Sequence, residues 1–370
     1  MKKVKLKDVL TEIIDFSSKA KYSGRSNITS ERYIPTLSAL SVHNNFIDYS
    51  KCYYVTLNEY KEMTSNRIPK IGDILLTKEA PVGRVAMLDK DNIAIGRRLW
   101  LLTGKENILD NNYLLYFLQW NKTQKLLKSI SGGSTVKSVN INSFKNIEVN
   151  IHSYEEQIKI GHILSLIDKK INLNNKINDN LLKQAKHIYL HYFFNKKPNG
   201  FLNDLIKEFE KSKIFVKDAK GKKGKYPFYT SGDSILEFDR FLVDGRYCFL
   251  NTGGNADIKF YAGKASYSSD TWCIYSEHKM TDYLYLLLHT AKEEINTKYF
   301  EGTSLKHLQK ELLKKKAIYI PIEIEISNFN RKIVPVLSAI SANNRENWAL
   351  TNYKNTLLPL LMNGQVTIED

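Results

Sequence analysis

Glycine, two hydroxyls and a lysine occur in the same order twice in this chain. Gly132-Gly133-Ser134-Thr135 precedes Lys137, and Gly302-Thr303-Ser304 precedes Lys306. Glycine lets a backbone approach closely, hydroxyls donate hydrogen bonds and lysine supplies a point charge, which together suit contact with phosphate. Lys78, Arg84, Arg97 and Arg98 in the first half, with Lys259 and Lys264 in the second, stand near glycine-containing loops from which they could reach base edges. Arginine would favour guanine, whose major-groove edge presents two acceptors. The competing reading makes each cation a solvated surface charge, and makes the glycine, hydroxyl and lysine element a helix N-terminus capped by Ser or Thr.

Bond-making chemistry has no comparable support. The chain lacks a G-x-x-x-x-G-K-[ST] phosphate loop, a G-x-G-x-x-G turn, H-E-x-x-H and G-x-S-x-G. It also lacks the Asn/Asp-Pro-Pro-aromatic segment with which amino-methyltransferases hold a target amine. His187 and His191 are the one histidine pair at i, i+4, with no third metal ligand nearby. Glu155-Glu156 reads as charge complementing a helix start. Cys52, Cys248 and Cys273 form no C-x-x-C pair, which argues against a disulfide framework or a cysteine zinc site. No catalytic residue, metal ligand or cofactor is therefore expected in this chain. With 55 basic and 39 acidic residues the net charge is +16, which suits a polyanionic partner, although lysine-rich AT-biased coding accounts for part of it. Apolar runs such as Tyr113 to Leu118 and Tyr283 to Leu288 are too short to cross a bilayer, and Asp8, Glu12 and Asp15 interrupt any leader after Lys2, Lys3 and Lys5. A cytoplasmic protein without a membrane partner is expected.

The elements that must position these loops repeat as well. Gly133 to Asn140 matches Gly302 to Gln309 position by position, Asn112 to Leu118 matches Asp282 to Leu288, Trp100 matches Trp272, and Ile163 to Ile167 matches Val336 to Ile340. The common spacing near 170 residues makes the chain a tandem duplication of a domain-sized unit. Asp73 to Thr77 and Arg246 to Leu250 read as buried strands bounded by Gly72 and Gly245, and the Tyr/Leu runs read as buried helices. Each unit closes with a long helix. In the first, Ile160, Leu164, Ile167, Ile171, Asn174, Asn178, Leu181, Ala185, Ile188 and Tyr192 form an apolar seam with two asparagine interruptions. In the second, Val336, Ile340, Asn343, Asn347, Leu350, Lys354, Leu357 and Leu361 repeat the pattern. Two such helices most simply pack on each other, with the asparagines fixing register. The alternative is that each lies on its own domain. The divisions expected are 1–152 and 200–323 as α/β domains, with 153–199 and 324–370 as helices.

Certain segments carry a family likeness. These are Gly72-Asp73-Ile74-Leu75-Leu76-Thr77 followed by Val82-Gly83-Arg84-Val85-Ala86, Gly133-Ser134-Thr135 ahead of Ile147-Glu148-Val149, and Glu155-Glu156-Gln157-Ile158 running into Ile163-Leu164-Ser165-Leu166-Ile167-Asp168-Lys169-Lys170-Ile171. The chain resembles the specificity subunit of type I restriction-modification enzymes over essentially its whole length. Asn328-Phe329-Asn330-Arg331 replaces the Glu-Gln start in the second copy, and Pro335 follows in what is expected to be a first helical turn. The resemblance implies an α/β fold with two pseudo-twofold-related target recognition domains joined by two long antiparallel coiled-coil helices. It implies a non-catalytic subunit that reads a bipartite, asymmetric double-stranded DNA target, with the helices setting the separation of the half-sites. The partners it implies are two adenine methyltransferase subunits using S-adenosylmethionine and restriction subunits using ATP and Mg, recruited through the seam helices and their flanks. Other readings of the residues are a free-standing two-domain DNA-binding regulator and, with less to support it, a DNA methyltransferase or nuclease.

Overall fold

The structure is a computed structural model that describes residues 1–16, 33–222 and 224–368. The chain forms two compact units, one comprising Met1–Ile171 and the stretch from Ala349 onward, the other Asn172–Trp348.

In the first unit the strands Leu10–Asp15, Leu99–Gly104, Ile74–Thr77 and Val85–Met87 lie in that order in an antiparallel sheet. Successive side chains on a strand face opposite ways. Ile74, Leu76, Trp100 and Leu102 accordingly join one core, and Leu75, Leu99 and Leu101 join another. A sheet covered on both faces explains why these strands read as unbroken apolar runs. The helix Asn111–Gln119 buries Tyr113 through Leu118 in the first of these cores. A three-stranded sheet, with Tyr33–Leu37 between Tyr53–Thr56 and Ala94–Ile95, contributes Leu37 and Ile95 to the second.

The second unit has a six-stranded sheet, ordered Lys207–Glu208, Thr271–Tyr275, Val243–Asn251, Ile258–Tyr267, Tyr226–Tyr229 and Leu236–Phe238. Cys248, Leu250, Phe260, Trp272 and Ile274 face the core shared with the helix Thr281–Thr290, whereas Phe249, Tyr261 and Cys273 face a smaller core with Tyr229. Gly245 does not bound its strand, as the sequence reading expected. It lies inside Val243–Asn251, opposite Gly263 of the neighbouring strand, where a side chain is not needed for pairing.

The glycine, hydroxyl and lysine elements are hairpin loops, not capped helix starts. Ser131–Gly132 pairs with Ser138–Val139, and Phe300–Glu301 pairs with His307–Leu308. Each hairpin is followed by a short helix, Ile141–Lys145 or Lys310–Lys314, and by a strand that pairs with the first strand of its own unit.

The two long helices, Tyr154–Phe193 and Glu323–Met362, are each 40 residues long. Their first residues place the repeat at the spacing of the hairpins, so buried Ile160 and Leu164 correspond to buried Phe329 and Ile333. The match of Ile163 with Val336 therefore runs one helical turn too far. Pro335 also stands well inside its helix, not in the first turn, because Glu323 opens that helix. It is exposed, so the ring meets solvent while Ile333 and Leu337 on either side reach the core.

The helices pack antiparallel in both units. In the first, Ile160 and Leu164 share a core with Leu358, Leu361 and Met362. There Lys354 Nζ lies 2.7 Å from Asp168 Oδ1, and the Tyr116 hydroxyl donates to the other carboxylate oxygen at 2.8 Å. In the second unit the buried Asn174 donates to Glu346 and Asn347 at 2.7 and 2.9 Å. Asn178 donates to Asn344 at 2.9 Å and accepts from Asn343 at 2.8 Å, and Asn347 donates to Asn175 at 2.8 Å. A chain of amides that satisfy one another holds a single register, because a shift would leave the buried Asn174 amide unpaired. Beyond it Ala185, Tyr189 and Phe193 pack with Ile326, Phe329, Ile333 and Leu337.

Candidate DNA interface

In the first unit three backbone segments meet at the base of the hairpin. Val139 N–H donates to Lys78 O, and Lys78 N–H donates to Arg98 O, both at 2.9 Å. An isolated bridge pairs Glu79 with Ser138. The hairpin, the turn after Ile74–Thr77 and the turn before Leu99–Gly104 therefore form one surface. It exposes Ser134, Thr135 and Lys137 in the loop, with Arg97 and Arg98 beside them. Arg98 adopts a left-handed backbone, φ 69°, that a side chain rarely takes, and its Nε lies 3.3 Å from Glu79 Oε1. Arg97 and Arg98 line a cleft of 320 Å³ with Ser38, Leu40, Tyr53 and Ala80.

The second unit builds the same base from different residues. Leu308 N–H donates to Thr252 O at 3.0 Å, Gly254 N–H donates to Lys306 O at 2.9 Å, and a bridge pairs Gly253 with His307. Thr303, Ser304 and Lys306 are exposed in the loop. Ser269-Asp270 precedes Thr271–Tyr275 where Arg97-Arg98 precedes Leu99–Gly104, and hydroxyl groups tie this base together. Thr252 Oγ1 donates to Asp270 O at 2.6 Å, the Ser231 hydroxyl also donates to that carbonyl, and Thr252 N–H donates to Ser231 Oγ at 3.1 Å. Lys310 lies over the Trp272 ring at 4.9 Å and lines a 280 Å³ cleft with Thr252 and Lys211. Burial holds its ammonium below the ordinary lysine range. Burial would raise neighbouring Glu208, but hydrogen bonds from Lys314 and Trp272 outweigh it and hold that carboxyl low.

Three expected DNA contacts point inward instead. Lys78 pairs with Asp15, which also accepts from Trp100 Nε1 at 3.1 Å. The half-buried Arg84 donates to the carbonyls of Ala39 and Val42, both at 3.4 Å. Lys259 donates to Thr230 O at 2.9 Å, Gly232 O at 2.8 Å and Asn251 Oδ1 at 3.1 Å. Ala39, Val42 and Thr230 are buried, so their carbonyls need donors and Arg84 and Lys259 supply them, whereas Lys78 forms an ion pair with the exposed Asp15 at the end of its strand. Lys264 stays exposed, over the Phe241 ring at 4.7 Å.

Of the helix positions, Ile160, Leu164, Ile167, Asn174 and Leu361 are buried. Ile171, Asn178, Leu181, Ile188, Val336, Ile340, Asn343, Asn347 and Leu357 are half-buried. The sequence reading did not single out Glu79, Thr252 or Ser231. Thr252-Gly253-Gly254 follows its strand as Lys78-Glu79 follows Ile74–Thr77, and that position was the available signal. Among the described residues, no group of three or more His, Cys, Asp or Glu side chains is arranged to hold a metal ion. No described helix is long and apolar enough to cross a membrane.

The chain is 25% identical to the MjaIX type I restriction enzyme specificity subunit of Methanocaldococcus jannaschii, over 85% of this chain and 82% of that one. It is 30% identical to the HindI specificity subunit of Haemophilus influenzae over 35% of this chain and 29% of that one. A crystal structure of the S subunit of a type I restriction-modification system from M. genitalium shares the fold at 14% identity, with a TM-score of 0.63 over 97% of this chain and 95% of that one. The family model for the type I restriction modification DNA specificity domain matches residues 1–183 and again 198–352. With both copies of the repeat matched, this chain belongs to the type I restriction-modification DNA specificity family.

Proposed function

We propose that this specificity subunit reads a bipartite, asymmetric double-stranded DNA target without catalysing any reaction itself. Residues 1–152 read one half-site and 200–323 the other, and 153–199 and 324–370 form the spacer between them. The observation that carries this reading is the duplicated hairpin, which exposes two hydroxyls and a lysine on a backbone tied to the main sheet in each unit. Lys137 and Lys306 seat the loops on phosphates, and Arg97 and Arg98 reach base edges from the adjoining cleft. Two methyltransferase subunits supply S-adenosylmethionine chemistry on adenine, and restriction subunits supply ATP- and Mg-dependent translocation and cleavage. Leu166, Leu173 and Ile177 are exposed on the first long helix, and such outward apolar side chains support a docking role for it.

Exchange of residues 1–152 for those of a relative, followed by mapping of methylated adenines in the host genome, tests the assignment. One half of the methylated motif should change and the other should stay. Change in both halves, or in neither, would show that the two segments do not read independently.

A further inference from the structure

Val136 and Leu305 occupy the same place in the two hairpin loops, between the hydroxyl pair and the lysine. Val136 is 45% exposed and Leu305 56%. A single aliphatic side chain at a surface needs no explanation. Its recurrence in both copies does, because core packing accounts for the buried positions the copies share and cannot account for this one.

The backbone around each is constrained. Gly133 has φ 121° and Gly302 φ 141°, and a Cβ on either would lie 2.3 Å from the carbonyl oxygen of Val136 or Leu305. Each loop thus folds the carbonyl of its aliphatic residue onto the glycine, and the hydrogen bonds at the hairpin base hold the loop to the sheet. The side chain is left in solvent on a fixed backbone, and valine adds a stiff χ1. An aliphatic group so presented cannot read donors or acceptors on a base edge. It can enter between base pairs, where it separates stacked rings at a step that deforms easily.

We propose that Val136 and Leu305 are apolar wedges that press between adjacent base pairs of the target duplex while Lys137 and Lys306 hold the flanking phosphates. This rests on the DNA-reading function proposed above and deepens it, since part of the sequence preference then comes from how readily one step in each half-site unstacks.

The test uses the full chain with its co-purified methyltransferase and duplexes of the mapped target carrying 2-aminopurine at each half-site position in turn. The variants are Val136→Thr and Leu305→Asn, which keep size and replace apolar surface with polar groups. Wild-type binding should raise fluorescence at one step in each half-site, with Val136→Thr abolishing the rise in one half and Leu305→Asn in the other. Each variant should bind the target about tenfold more weakly, as a mismatched base pair would, at an unchanged salt slope. An adenine flipped by the methyltransferase brightens with wild type and variants alike, so only the variant-sensitive signal counts. Tight wild-type binding with no such signal, or variants that bind and distort as wild type does, overturns the wedge and leaves the DNA-reading function intact. Absence of any sequence-specific binding by the wild-type complex overturns both. Melting temperatures should match, because both side chains are already exposed. If they do not, Val136→Ala and Leu305→Ala provide the same comparison.

Discussion

Lys137 and Lys306 end their loops with side chains in solvent, whereas the Lys259 side chain is 13% exposed and donates to two loop carbonyls and an amide. Replacing either loop lysine by Ala should weaken DNA binding similarly on all sequences and reduce the slope of log affinity against log salt by about 1, with melting unchanged. Lys259→Met should do the reverse, lowering stability by about 2 kcal/mol as the carbonyls lose a charged donor, with the salt slope intact. Salt titrations of binding and chemical denaturation check the pair, and a changed slope in Lys259→Met would return that residue to the interface. At this scale the sequence shows residue type but not direction. Gly133-Ser134-Thr135 reads as a loop suited to phosphate and is exposed, yet Lys78, Arg84 and Lys259 carry the same charge as Lys137 and are taken up by groups of the protein itself, some as distant in sequence as Ala39 and Asp15.

At the scale of elements the long helices were the most legible feature, since periodicity is local. The asparagine interruptions fall where Asn174 and Asn178 meet Asn343, Asn344 and Asn347. Lys354 is a charged residue within the seam, and its partner Asp168, 186 positions away, accounts for it. The side chains of this pair are 10% and 12% exposed. Lys354→Met should cost about 3 kcal/mol by leaving a half-buried carboxylate with the Tyr116 hydroxyl as its remaining donor among these contacts. Adding Asp168→Leu should recover most of that loss, because an apolar pair is tolerated where a lone charge is not. Denaturation of the two single variants and the double variant completes the cycle. A double variant as unstable as Lys354→Met would mean that packing, not the unpaired charge, sets the cost. The sheets were legible only as buried runs. Their order depends on pairings such as Leu10–Asp15 with Leu99–Gly104, which no local pattern specifies.

Across the whole molecule the duplication was legible because both copies keep the same order of hairpin, short helix, strand and long helix at nearly constant spacing. The way the units share the chain was not. The first unit includes the stretch from Ala349 onward, and Leu358, Leu361 and Met362 belong to its core. Of two domains in one chain, the one translated earlier ordinarily folds first as it leaves the ribosome. Here the order should invert. The second unit has all its residues once Trp348 has emerged, while the first must wait, with Ile160 and Leu164 lacking their partners, until the last helix is synthesised. Nascent chains arrested with residues 1–348 outside the ribosome should be cut readily by protease within 1–171 and resist it within 172–348, and equal resistance in both would refute this order. While the second unit is made, the half-made first unit then carries uncovered apolar surface, so aggregation and chaperone demand fall on the unit that is begun before the other and completed after it.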